Sequence, residues 1–248
     1  TNWGNGVNQW RAYALLPDPG DGGNEKLWLN YFARVVPDST TAPPTIATLV
    51  LPGVQFGGVP LQNRRDGNPG AGVPYMNQYR LNSISDDLGQ HIDVAYESPT
   101  CSLSSPNWST NTTNCYPMFA SFPGGGAGWG VYRRWTVAYV LDSDLVAGGS
   151  GTGGAPAVLT QYTNTGAAWH HAGDDWWIDT PGVDDVSWSD WRGFQTVTTT
   201  VGWGTGGAPQ TVTKQTFYQG MNADKNGSGG LKSVSMLRGW TIPPEVSE

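Results

Sequence analysis

Glycine and proline punctuate this chain so often that long amphipathic helices are excluded from what it can fold into. With 35 Gly and 18 Pro in 248 residues, no window of a dozen keeps apolar side chains at i, i+3, i+4 and i+7 uninterrupted. Period-two alternation takes their place. Residues 135–141 alternate large and small side chains, and 194–201 and 211–218 carry the β-branched bias of strands. The Gly-rich turn at 202–209 separates the last two, so they read as a hairpin. Residues 135–141 and 157–163 form a second such pair around 147–156. Gly-Gly-Ala-Pro occurs at 153–156 and again at 206–209, each time ahead of a Val/Thr strand. There Gly permits the reversal and Pro fixes φ at the entry to the returning strand. At 79–96, Leu81 and Ile84 precede Asp86-Asp-Leu-Gly89, and Ile92, Val94 and Tyr96 alternate after it, a hairpin with its turn chemistry in place. Further strands are expected at 26–35 and 45–51, separated by a Pro-rich loop at 37–44. The expected fold is all-β, a serial run of antiparallel hairpins with few or no helices.

Composition narrows the function classes. Lys+Arg 13 against Asp+Glu 20 gives a net charge of −7, which disfavours nucleic acid and anionic membrane as partners. No apolar run approaches the roughly 18 residues of a membrane helix, and no charged-then-apolar leader stands at Thr1. Charged residues are too sparse for heptads, and 13 Trp, 10 Tyr and 6 Phe are more aromatic surface than a solvated coil carries. The chain has two cysteines, Cys101 and Cys115. A bridge would staple the Ser/Thr/Asn loop between them, which nothing else orders; the competing reading is two reduced thiols. Together with the few charges and the many Thr, Ser, Asn and Gly, the bridge points to an oxidising, extracellular setting; Asn107, Asn111 and Asn226 fit the glycosylation sequon, which Asn/Ser/Thr-rich loops also produce by chance.

Three constellations are candidates for chemistry. Trp169-His170-His171 is followed by Asp174, Asp175, Trp176, Trp177 and Asp179. Imidazoles beside carboxylates suit metal binding or acid/base work, and indoles suit sugar stacking. Adjacent histidines on a strand face opposite ways, however, and Asp-Asp is ordinary turn composition, so the competing reading is a structural aromatic corner. Asn222, Asp224 and Asn226, followed by Gly227, open like a calcium loop. Ser233 stands where the bidentate Glu belongs, and an ordinary hairpin turn is the competing reading. Trp108, Trp129, Trp188, Trp191 and Trp203 form either a glycan platform or the core of a Gly-rich sheet. No Gly-x-Ser-x-Gly, phosphate loop or dinucleotide fingerprint is present.

The hairpin at 79–96 resembles the YD repeat of Rhs proteins and teneurins: Arg80-Leu81, then Ile84, Asp86 and Gly89, then Val94-x-Tyr96. Four further blocks, in order, resemble large secreted bacterial Rhs-repeat proteins. They are Cys101…Cys115-Tyr-Pro117, then Gly166-Ala-Ala-Trp169-His170 with Asp174-Asp175, then Trp188-Ser-Asp-Trp191-Arg-Gly-Phe194, then Phe217-Tyr-Gln-Gly220-Met-Asn-Ala-Asp224. The matched stretch runs from about Leu51 to Met236. The full Tyr-Asp-x-x-Gly-Arg repeat is nowhere intact, so the segment is expected to lie upstream of the regular repeats. Residues 1–50 are expected to form an N-terminal β segment with Pro-rich loops, and the resemblance implies that 51–248 is a hairpin-shell segment of a spiral β-sheet. It further implies a structural, non-catalytic role, secreted or at the cell surface, in which the wall encloses or presents a C-terminal cargo or toxin. The expected partners are the rest of that shell and its cargo, and no cofactor is implied. The alternative is a secreted carbohydrate-binding or glycoside hydrolase-like β protein with Asp174, Asp175 and Asp179 as carboxylates and Trp169, Trp176 and Trp177 as the sugar platform. A third reading is an adhesin with a cell-surface glycan or protein as partner.

Overall fold

A computed structural model describes residues 8–16, 26–37, 48–50, 53–98, 101, 107–121, 127–146, 155–171, 188–202, 210–226 and 230–234. Within them the fold is all-β, with twelve strands and two single-turn 3-10 segments. Ten strands make one antiparallel sheet: β1 (Asn8–Leu16), β2 (Lys26–Pro37), β3 (Thr48–Val50), β4 (Val54–Gln62), β5 (Asn77–Ser85), β6 (Gln90–Tyr96), β9 (Val137–Asp144), β10 (Val158–His171), β11 (Trp188–Val201) and β12 (Thr211–Thr216). Their order across the sheet follows their order in the chain. β3 and β4 lie end to end along β2, opposite the edge that β1 occupies. The single excursion is β7 (Cys115–Ser121) with β8 (Ala127–Arg133), a separate two-stranded hairpin between β6 and β9.

Local chemistry explains the pairings. The β5–β6 turn is held by Asp86, whose Oδ1 accepts from the Leu88 and Gln90 amides at 2.9 and 2.8 Å, while Gly89 sits at φ +92°. β9 pairs with β10 from Val158 opposite Asp142 to Gln161 opposite Tyr139, and β11 pairs with β12 from Thr196 opposite Thr216 to Val201 opposite Thr211. These are the two hairpins expected from the alternation. Trp135 lies ahead of β9 rather than within it: its indole N–H donates to the Gln62 carbonyl at 3.1 Å.

The β7–β8 hairpin is where the core gathers. On one side the Arg65 amide donates to the Val131 carbonyl at 2.7 Å and the Arg133 amide to the Asn63 carbonyl at 2.8 Å. On the other, the Arg134 amide donates to Asn114, and the Ala167 amide of β10 to Thr112. Cys115, Tyr132, Arg133, Ala167, Ala168 and Trp169 are all buried here. Both cysteines of the chain join in a Cys101–Cys115 disulfide at the entry to β7. Every residue of β12 is exposed, and Leu27, Val158, Val212, Phe217 and Tyr218 present apolar side chains to solvent.

Arg64 fastens the hairpin to the turn after β4. Its Nε and Nη2 donate to the two Asp66 oxygens at 3.0 and 3.1 Å, and Asp66 Oδ1 also accepts from the Val131 amide at 2.9 Å. A Cβ at Gly130 would stand 2.7 Å from the Arg64 guanidinium carbon. The guanidinium is the far end of a flexible chain, but it is 4% exposed and pinned at both ends, so it has little room to yield. Gly130→Ala is expected to lower stability by about 1–3 kcal/mol in urea denaturation, as overpacking does. An unchanged midpoint would mean that the fork moves aside freely.

Candidate functional site

Long aromatic side chains at alternate positions of paired strands meet across the sheet, and here they form a continuous series. Tyr116 of β7 stacks on Trp169 of β10, with centroids 4.6 Å apart and planes 29° apart. Trp169 meets Trp191 of β11 edge-on at 4.7 Å, and Trp191 meets Phe194 at 5.0 Å. Tyr132 closes the other end, 6.0 Å from Tyr116. Trp169 is 2% exposed, and its indole N–H donates to the Thr113 carbonyl at 2.8 Å. Its faces are committed to neighbouring rings and its polar edge to backbone, as expected of a buried indole. The other sequence-predicted tryptophans go different ways. Trp129 is 45% exposed beside Phe119 on the hairpin, Trp188 packs edge-on against His171 at 4.7 Å, and Trp203 lies outside the described residues.

His170 and His171 take different partners. His171 packs on Trp188, while His170 Nδ1 lies 2.8 Å from Asp224 Oδ1, linking β10 to the turn after β12. Lys232 Nζ lies 2.8 Å from Asp224 Oδ2, and the Asp224 side chain is 1% exposed. The other oxygen-bearing side chains of the calcium-like segment hold its own turn: Asn222 Oδ1 accepts from the Val234 amide and Asn226 Oδ1 from the Gly230 amide. The acid in that segment therefore pairs with a lysine and an imidazole, and no group of three or more His, Cys, Asp or Glu suited to a metal occurs among the described residues. Asp174, Asp175, Trp176, Trp177 and Asp179 lie outside those residues.

Burial acts to raise the Asp224 carboxyl, but the hydrogen bonds and charges of Lys232 and His170 together outweigh it and hold the group below the usual carboxylate range. The folded protein then binds fewer protons than the unfolded chain near the ordinary carboxylate value. Its contribution is present above about pH 4 and is lost as pH falls through the depressed folded value. Denaturation midpoints measured from roughly pH 5 down to pH 2 should fall, and Asp224→Asn should flatten part of that fall. A variant with the wild-type slope would place the acid sensitivity elsewhere.

Beside the aromatic series is a recess of about 410 Å³ lined by Arg80 of β5, Arg133 of β8, Arg134, Tyr116, Trp191 and Asp190, among others. Arg133 is 2% exposed, and its guanidinium carbon sits 3.5 Å from the centroid of the Trp135 ring. Burial foremost, then the like charge of Arg65, pushes its pKa down to about 10. Glu97 is the acid that opposes this, but its carboxylate accepts from Thr136 Oγ1 at 2.6 Å and Asn164 Nδ2 at 2.8 Å. Asp190 pairs with Arg192 at 2.8 Å. Sequence reasoning passed over these arginines because the fold, not the spacing, brings Arg80 to Arg133. The one signal was Arg133-Arg134-Trp135, two adjacent cations before an indole in a chain with few charges.

No protein-family model matches the chain, and neither a curated protein nor a solved structure matches it significantly.

Proposed function

We propose that this chain is a structural, non-catalytic wall segment of an extracellular Rhs/YD-repeat shell that encloses or presents a C-terminal cargo. The observation that carries the reading is the strand order: nine strands follow one another across the sheet as they do along the chain, with one hairpin excursion. Such a meander buries each strand mainly on its neighbours, so a wall grows by adding hairpins rather than by closing a two-layer core. The apolar side chains left open on β12 and around it suit a segment that packs against further strands or contents. Trp169, buried in the aromatic series, serves cohesion in this reading. The disulfide suits an oxidising compartment.

The test is the natural gene product read past Glu248. Intact YD repeats and a C-terminal domain are expected there, and in the purified full-length protein that domain should resist added protease until the wall is denatured. A natural chain ending at Glu248, or a C-terminal domain cleaved at once, overturns the reading. Glycan-array binding abolished by Trp176→Ala would favour the sugar-binding alternative instead.

A further inference from the structure

Arg133 presents a problem that the wall role leaves unsolved. A guanidinium has five N–H donors and no acceptor, and burying it without partners is costly. Its Nε, Nη1 and Nη2 are all buried with no hydrogen-bond acceptor among the described residues, and its guanidinium lies against the face of Trp135. Arg80, on the same recess, also has a buried Nε without an acceptor, although its Nη2 donates to Asn63 Oδ1 at 3.2 Å. Arg134 adds a third cation, set 5.4 Å from the centroid of the Trp191 ring. Three of the chain's 13 basic residues thus line one recess in a protein of net charge −7, and the nearby acids are already engaged by other donors.

We propose that this recess binds a small oxyanion, a carboxylate, sulfate or phosphate group, held by Arg133 and Arg80 with Arg134 at its rim. Water would accept the same hydrogen bonds but leave the positive charges uncompensated. An oxyanion satisfies the forked donors and the charge together, in the geometry for which arginine is suited. The lowered pKa of Arg133 has the same origin, and a bound anion would reverse it. The recess volume, about 410 Å³, admits a free inorganic ion or an acidic monosaccharide. This assignment is independent of the shell reading, since binding is measured on the chain whatever it belongs to.

The experiment is isothermal titration of residues 1–248 with sodium sulfate, sodium phosphate and sodium glucuronate at constant ionic strength. Calorimetry is preferred to melting curves because sulfate stabilises folded proteins without binding them. At least one probe is expected to saturate with Kd below about 1 mM. Arg80→Gln should weaken it about tenfold or more, and Arg133→Met should abolish it. Glucuronate binding tenfold tighter than sulfate and phosphate would identify an acidic sugar; the reverse order would identify the inorganic ion. If Arg133→Met does not fold, Arg80→Gln decides, being only partly buried. No saturation by any probe below about 10 mM, or Arg80→Gln binding as tightly as wild type, overturns the proposal.

Discussion

Trp169→Ala should be among the most damaging single substitutions in this chain, with an expected loss of about 3–5 kcal/mol. Three effects act together. The indole leaves a large void between Tyr116 and Trp191, which it now fills at centroid distances of 4.6 and 4.7 Å. The Thr113 carbonyl loses the donor that satisfies it. The β7–β8 hairpin also loses an anchor on β10, so part of the damage falls on the recess beneath it. For a chain of this length the shift in Tm should be roughly 10 °C or more. Trp169→Phe separates the contributions: it keeps most of the apolar volume but removes the N–H, and should cost about 1–3 kcal/mol. Full stability in Trp169→Ala would mean that the aromatic series is decoration rather than core.

The contrast between what could be read in advance and what could not follows from range. The β5–β6, β9–β10 and β11–β12 pairings are specified by adjacent alternating runs and by turn residues such as Asp86 and Gly89, so a local reading reaches them. β7 and β8 escape it, because Cys-Tyr-Pro-Met and Ala-Gly-Trp-Gly interrupt the alternation, and their seat is fixed by bonds to partners remote in sequence: Asn63 for Arg133, and Ala167 and Trp169 for the Thr112 and Thr113 carbonyls just ahead of β7. Asp224 illustrates the same limit. Its neighbours in sequence resemble a calcium loop, whereas the groups that set its chemistry are Lys232, eight residues on, and His170, 54 residues away. The arginine recess depends on the same kind of contact, made only when the hairpin excursion folds back over the sheet.

Reduction of the Cys101–Cys115 bridge should have the second large effect. The crosslink closes a loop with a sequence separation of 14, and in the chain-entropy model its removal costs about 3 kcal/mol. The native side of the balance adds to this. The described part of the enclosed segment, from Asn107 on, carries short-range caps: Asn107 Oδ1 accepts from the Ser109 amide, and Asn111 Oδ1 from the Thr113 amide. These caps are local; the Thr112 and Thr113 carbonyls tie the far end of the segment to β10, and the disulfide fastens its Cys101 end to the fully buried Cys115. A reductant is therefore expected to lower Tm by roughly 6–12 °C. The double variant Cys101→Ala/Cys115→Ala should show the lower midpoint with or without reductant, which distinguishes bridge loss from a general effect of thiol reagents. Because Cys115 begins β7, the same variant should loosen the hairpin that carries Arg133 and weaken oxyanion binding in step with stability. If wild type and double variant melt together under oxidising conditions, the caps and the bonds to β10 hold the loop and the bridge contributes nothing to the fold.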